Sequence, residues 1–432
     1  MSLNDKKVIN GWAFYDWANS AYFLVISTAI FPAYFIARTN EVIDIFGYQI
    51  KNSTIYSYSV SVAYLFVVII SPILSGIADY GGKRMFFLKF FTYLGSVSCI
   101  ALFFFTGDMN VWIGVGAFIL ATIGAAGGLV FYDAYLPEIA TEDQFDKVSA
   151  KGYSYGYFGS VLLLIFILLM SLEPTFFGIP DSTTLPYRLG FMLVGLWWMG
   201  FAQISFKRLP KGINEPLNLK LISSGVTKIN NVLFKVVQNR NLSFYLGSVF
   251  FFSAGVQTVI YLASVFAKEE LNFKTDELIV IILIIQIIGI LGAYIFAYIS
   301  QRIGNKSGLT IMIIIWTLIA FAAYFVQSKF QFYLMAALVG LVMGGIQSQA
   351  RATYSKLVEN DKKELTSFFS FFEIMIKLSI VVGTFAFGLV NQITGDLRKS
   401  VLSLAFFFLI GVILLLFSNF EKAKQKVNDS II

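Results

Sequence analysis

Apolar stretches long enough to cross a lipid bilayer return twelve times along this chain of 432 residues. A helix rises about 1.5 Å per residue, so about 20 apolar residues cover the ~30 Å hydrocarbon thickness. The runs occupy residues 8–37, 54–78, 85–106, 111–131, 152–172 and 188–206, then 241–267, 277–300, 308–327, 330–349, 366–392 and 401–420. In hydrocarbon every backbone polar group must find a partner inside the protein, which leaves only helices and closed barrels. Barrel strands would be half this length and strictly alternating, and these runs are neither. The expected fold class is therefore all-α integral membrane, with twelve transmembrane helices. Composition agrees, since 13% of residues are charged against about 25% in soluble domains.

Histidine is absent, which removes the usual proton shuttle near neutral pH and the commonest metal ligand. No metal or cofactor is expected. Cys99 is the single cysteine and can form no internal disulfide. The formal charge of +7 invites a nucleic-acid reading, but the basic residues sit in short segments between the runs, where topology accounts for them. Lys6, Lys7, Lys83, Arg84, Lys207, Arg208, Arg302 and Lys306 fall in the head or in even-numbered loops. In an odd-numbered loop, Lys268 and Lys274 are offset by Glu269, Glu270, Asp276 and Glu277. By the positive-inside rule both termini are expected in the cytoplasm. The head leads into the first run without an Ala-x-Ala cleavage site, so a retained helix is expected rather than a signal peptide. The expected location is a bacterial inner membrane.

Two landmarks recur in the two sets of six runs. Ser75-Gly-Ile-Ala-Asp-Tyr-Gly-Gly-Lys-Arg84, after the second run, is echoed by Ala297-Tyr-Ile-Ser-Gln-Arg-Ile-Gly-Asn-Lys306 after the eighth. Gly127-Gly128 near the end of the fourth is echoed by Gly344-Gly345 near the end of the tenth. Such symmetry marks a transporter built from parallel repeats with its site between them. The halves are expected at 1–206 and 241–420, joined by a linker at 207–240 and followed by a cytoplasmic tail at 421–432. Within the linker, Leu219, Ile222, Val226, Ile229, Leu233 and Val236 recur at helical spacing beside Lys220, Lys228 and Lys235. This predicts a basic amphipathic helix on the inner membrane surface. Ser223-Ser-Gly225 interrupts the pattern and leaves a plain tether as the alternative.

The loop Gly76-Ile-Ala-Asp-Tyr-Gly-Gly-Lys-Arg84 resembles the loop motif between helices two and three of the major facilitator superfamily, departing at Ser75, where that motif usually has Gly. Within the superfamily the chain resembles the vacuole-effluxer branch, which includes autophagy-linked vacuolar amino-acid exporters and bacterial members. Four stretches carry the resemblance: Trp12–Ser20, Tyr132-Asp-Ala-Tyr-Leu-Pro-Glu138, Gly255-Val-Gln-Thr258, and Gly344-Gly-Ile-Gln-Ser-Gln-Ala-Arg351 leading on to Lys377. It departs at Ala254, where the branch pattern has an acidic residue before the Gly. The resemblance implies two pseudo-symmetric six-helix halves, with helices one, four, seven and ten lining a central cavity.

Asp16 lies inside the first run with no cation close in sequence, about 12 Å along the helix. A carboxylate there costs roughly 2.5–3.5 kcal/mol even on insertion scales. Asn19 and Ser20, three and four residues on, share its face. The group is read as a proton site or an anchor for a substrate ammonium, with a helix-packing carboxylate as the structural alternative. Glu373 and Lys377 are adjacent on one face of the eleventh run, either a self-neutralising pair or a coupling pair. Asp79, beside Lys83 and Arg84, is expected to latch the halves by approaching the start of helix eleven near Leu365, or to cap its own loop. Asp133 and Arg351, at matching ends of the fourth and tenth runs, are candidates for a gate pair between the halves. Tyr22, Gln257, Tyr261, Gln347 and Gln349 are expected, with Asn19, to line the cavity.

The expected function is secondary transport by alternating access. The resemblance implies export of amino acids or similar small metabolites, with protons as the candidate coupling ion. No Gly-x-x-x-x-Gly-Lys-Ser/Thr loop is present to support an ATP-driven pump. Transport or scrambling of lipid-like molecules is the alternative. An intramembrane enzyme is disfavoured by the lack of any histidine and hence of a His-Glu-x-x-His run, and a non-transporting receptor is the remaining reading. The expected partners are a small-molecule substrate and the lipid bilayer, with no nucleic acid, and the protein is expected to act as a monomer.

Overall fold

A computed structural model describes residues 2–45, 48–181, 183–212, 219–358 and 363–420. Twelve helices among them are long and apolar enough to cross a membrane. They are α1 (Lys6–Arg38), α2 (Asn52–Gly81), α3 (Arg84–Ala101), α4 (Val111–Asp133), α5 (Phe145–Leu172) and α6 (Leu185–Arg208), then α7 (Arg240–Leu271), α8 (Thr275–Ile303), α9 (Asn305–Phe325), α10 (Lys329–Val358), α11 (Leu365–Thr394) and α12 (Leu397–Phe417). The end of the bundle where α1 begins and α12 finishes is called the terminal face below.

Each set of six helices has its own apolar core. The first is built around Trp12, Tyr15, Phe31, Phe118 and Trp198, the second around Phe252, Trp316, Phe368 and Phe408. Large apolar side chains such as Leu65 and Ile69 of α2, Phe158 and Leu169 of α5, and Phe406 and Ile413 of α12 are exposed. On a soluble protein they would form a sticky surface; here they face hydrocarbon. The halves meet where α2 and α4 pack on α11 and where α5 packs on α8 and α10. α8 and α10 pack tightly on each other. A Cβ at Gly292 or Gly344 would penetrate the backbone carbonyl of Leu341 or Gly289, so the two helices touch backbone to backbone.

Local chemistry accounts for the helix ends. Asp5 caps α1 by accepting from the Lys7 amide at 2.8 Å, and Asp396 caps α12 by accepting from the amides of Arg398 and Lys399. At the end of α2, Gly82 takes φ +60°, a left-handed conformation that a side chain disfavours, and its amide returns to the Ala78 carbonyl.

Two features depart from the pattern of plain helices and loops. Residues Tyr22–Ile30 of α1 form a π-helix, and β1 (Val42–Ile45) pairs antiparallel with β2 (Tyr48–Lys51) before α2. In the linker, Leu219–Gln238 is helical; it packs on α2 and α7, with Val232 and Val236 buried and Lys235 paired with Glu364 at 2.6 Å. The expected tail, 421–432, lies outside the described residues.

Candidate functional site

α10 carries Arg351 about two turns before its end, and the side chain enters the opposite half at 1% exposure. A guanidinium has five N–H donors, and here every nitrogen is engaged. Nε donates to the Ser149 hydroxyl at 3.0 Å. Nη1 donates to Asp16 Oδ2 at 3.3 Å and Asp133 Oδ1 at 3.0 Å. Nη2 donates to Asp16 Oδ2 at 3.3 Å and the Ser149 carbonyl at 3.0 Å. The rings of Trp12, Tyr132 and Tyr153 surround its carbon at 4.6, 5.5 and 4.3 Å, adding cation–π attraction in a site from which water is removed. Three helices of the first half thus hold one cation from the second.

The carboxylate that lacks a cation in its own stretch of sequence is therefore ion-paired, with a residue 335 positions away. Asp16 also accepts from the Tyr132 hydroxyl at 2.7 Å. Tyr132 is fixed by stacking on Trp12, with centroids 4.6 Å apart, and the Trp12 indole donates to the Tyr132 carbonyl at 3.0 Å. Gly152 of α5 closes the site. A Cβ there would lie 2.5 Å from Asp16 Oδ2 and 2.8 Å from Arg351 Nη2, so only glycine leaves room for the pair. Ser149, Gly152 and Tyr153 are not legible in the sequence, because nothing local tells which face of α5 meets Arg351.

Nearer the terminal face, Asp79 accepts from the Thr366 and Ser367 amides at 3.1 and 2.7 Å and from the Ser367 hydroxyl at 2.7 Å. These are the unsatisfied amides that open α11, where its dipole favours an anion. Arg84 joins the same contact, reaching Asp79 at 3.4 Å, the Thr366 hydroxyl at 2.8 Å and Glu138 at 2.9 Å. Lys83 instead packs its ammonium over Phe86 at 5.7 Å. At the pseudo-equivalent place the counterpart of Asp79 is Gln301, whose amide donates to the Asp143 carbonyl at 3.4 Å. Asp146 there takes Lys356 at 2.6 Å and Asn305 at 2.7 Å.

That second network corrects the placement of Gln349. It is fully buried and accepts from Asn305 at 3.2 Å, so it belongs to this crossing and not to a cavity. Gln347 points elsewhere, accepting from the Tyr157 hydroxyl at 2.7 Å across the halves. Tyr22 is also corrected: its hydroxyl meets that of Thr122 at 2.5 Å inside the first core. Asn19 is buried one turn from Asp16, and its Oδ1 has no partner among the described residues. Ser20 faces Gly156 of α5, and Gln257 is half-buried on α7. The Tyr261 side chain lies outside the described residues. Glu373 and Lys377 form an ion pair with each other, both buried in α11. Ala254, where the branch pattern has an acid, is fully buried, and its carbonyl lies against Gly383 of α11.

The whole chain, not the site alone, matches known proteins. Residues 4–428 match the family described as "Vacuole effluxer Atg22 like". The chain belongs to that family. It is 29% identical to the protein named "Uncharacterized MFS-type transporter YxiO" of Bacillus subtilis (strain 168), over 97% of each chain. It is 24% identical to Autophagy-related protein 22 of Coccidioides immitis (strain RS), over 90% of this chain and 76% of that one. Among solved structures, the major facilitator transporter FucP in its outward conformation superposes with a TM-score of 0.69 at 14% identity, covering 96% of this chain and 99% of that one. The fold is thus the major facilitator fold, twelve helices in two pseudo-symmetric halves. Family and fold are those of a multi-pass membrane transporter and not of an enzyme.

Proposed function

We propose that this transporter exports amino acids or similar small metabolites in exchange for protons, with Arg351 as the catch of its cytoplasmic gate and Asp16 as its proton site. The observation that carries the reading is the charge count at the catch. Arg351 meets two buried carboxylates, Asp16 and Asp133, while Lys377 and Glu373 neutralise each other, which leaves one negative charge in excess. An uncompensated buried charge is costly, so the site favours one further positive charge. A proton can supply it, and so can a substrate ammonium. Two ligands that satisfy one surplus charge compete, and competition of this kind is the logic of exchange. The free Oδ1 of buried Asn19 offers an ammonium a second acceptor.

The terminal face is taken as cytoplasmic because lysines and arginines concentrate there, and a bacterial inner membrane suits the bacterial relative. On that assignment the ion pairs of Arg351 and the Asp79 cap hold the cytoplasmic side shut. A proton on Asp16 leaves Arg351 balanced by Asp133 and favours the closed arrangement, and its release restores the surplus charge and licenses opening. Purified protein in proteoliposomes tests this with an amino-acid panel. Asp16→Asn is expected to retain counterflow, which needs no coupling, and to lose uptake driven by a pH gradient. An Asp16→Asn variant that accumulates substrate like the parent refutes the proton role; a parent with no counterflow for any amino acid refutes the substrate class.

A further inference from the structure

Away from the gate, α1 and α5 enclose a crevice at the terminal face, lined by Lys6, Ile9 and Asn10 of the first helix and by Lys147, Val148 and Lys151 of the second, with Gln144 at its edge. The lining holds three ammonium groups and no carboxylate. The acids close by have hydrogen-bond partners of their own, and Asp143 also attracts Lys147. Asp5 accepts from the Lys7 amide at 2.8 Å, Asp143 from the Gln144 amide at 2.6 Å, and Asp146 from Lys356 at 2.6 Å. Lys151 donates to the Asn10 carboxamide oxygen, which fixes its ammonium at the floor of the crevice.

The same face of α5 tells what solvent the crevice meets. Lys147, Lys151, Tyr155, Phe158, Leu162, Phe166 and Leu169 follow one another at three- and four-residue steps, so they form one stripe along the helix. From Phe158 to Leu169 the apolar members of that stripe are exposed, 50% for Phe158 and 51% for Leu169, as acyl chains require. Tyr155 follows, its ring beneath the Lys151 ammonium at 5.6 Å, at the depth where amphipathic aromatics mark the membrane interface. The lysines come next, at headgroup level. We infer that this crevice binds the phosphate of an anionic phospholipid whose acyl chains lie along the Phe158–Leu169 stripe. Clustered cations at the interface recognise such headgroups, and the apolar continuation distinguishes a lipid from a free phosphate.

The test compares the parent with Lys6→Gln/Lys147→Gln/Lys151→Gln and with a charge-matched control, Lys89→Gln/Lys211→Gln/Lys363→Gln. Each is reconstituted in phosphatidylcholine nanodiscs containing a trace of fluorescent phosphatidylglycerol, and tryptophan-to-lipid energy transfer is titrated. Each ammonium near an anionic surface contributes roughly a fivefold preference, so the crevice variant is expected to lose on the order of a hundredfold in affinity while the control keeps the parent's. Inorganic phosphate at millimolar concentration is expected not to compete; if it displaces the lipid fully, the site is a phosphate site and the lipid assignment is wrong. Equal phosphatidylglycerol binding by parent and crevice variant overturns the proposal outright. Lys6→Arg/Lys147→Arg/Lys151→Arg keeps the charges and is expected to bind like the parent, so a loss there as well would trace the effect to folding and overturn the headgroup site.

Discussion

Replacing Arg351 by Met removes the one cation that three helices of the opposite half enclose. Asp16 and Asp133 stay behind in the first half, and the closed arrangement then buries both without their partner. Stranding a buried charge by removing its partner costs about 3–5 kcal/mol. The penalty falls on the closed arrangement, because opening hydrates both carboxylates. At about 1.4 kcal/mol per factor of ten, the ratio of closed to open protein falls by roughly two to three and a half powers of ten. Ala352 reports the change: it is fully buried against the first half's core, one residue beyond Arg351. In a Cys99→Ser background, Ala352→Cys is expected to resist a membrane-impermeant maleimide in the parent and to label rapidly with Arg351→Met. Adding Asp16→Asn and Asp133→Asn removes the stranded charges and is expected to bring labelling back toward the parent. Labelling by Arg351→Met within twofold of the parent would refute the catch, and so would a triple variant that labels as fast as the single one.

Asp79→Ala removes the cap of α11, a contact of about 0.5–2 kcal/mol, so labelling at Ala352→Cys is expected to rise by a smaller factor than with Arg351→Met. Gly152→Ala places a methyl 2.5 Å from Asp16 Oδ2 and is expected to speed the same labelling, whereas Gly200→Ala, with nothing within 4 Å, is expected to leave it unchanged and to raise thermal stability slightly. Lys377→Ala strands Glu373 and is expected to lower the melting temperature; Glu373→Gln with Lys377→Met should restore both stability and transport if the pair is structural, and stability alone if it couples transport.

The spans were legible because a bilayer converts hydrophobicity into length, and twelve apolar runs became twelve helices. The meeting of Asp79 with the start of α11 was legible too, since an acid and a helix N-terminus attract whatever lies between them in sequence. The partner of Asp16 was not. Pairing across 335 residues leaves no periodic trace, although Arg351 was itself a cation with no nearby acid and the two could have been matched by elimination. A shared cavity for Gln347 and Gln349 conflicts with helix geometry, since residues two apart on a helix point about 200° from each other. The structure sends one to Tyr157 and the other to Asn305. The pairing of β1 with β2 has only a short alternation to announce it between two long helices.

The glycine contacts between α8 and α10 bear on how force crosses this molecule. Two helices in backbone contact cannot slide past each other without losing that fit, so they travel as one plank. Arg351 sits near one end of the plank, and the side chains that take part in the α8–α5 seam lie along its edge. Withdrawing the guanidinium is therefore no swing of a single side chain. On the proposed gate the 29 residues of α8 and the 30 of α10 are expected to tilt together, so a disturbance at one end of the pair is carried to the other as a lever stroke.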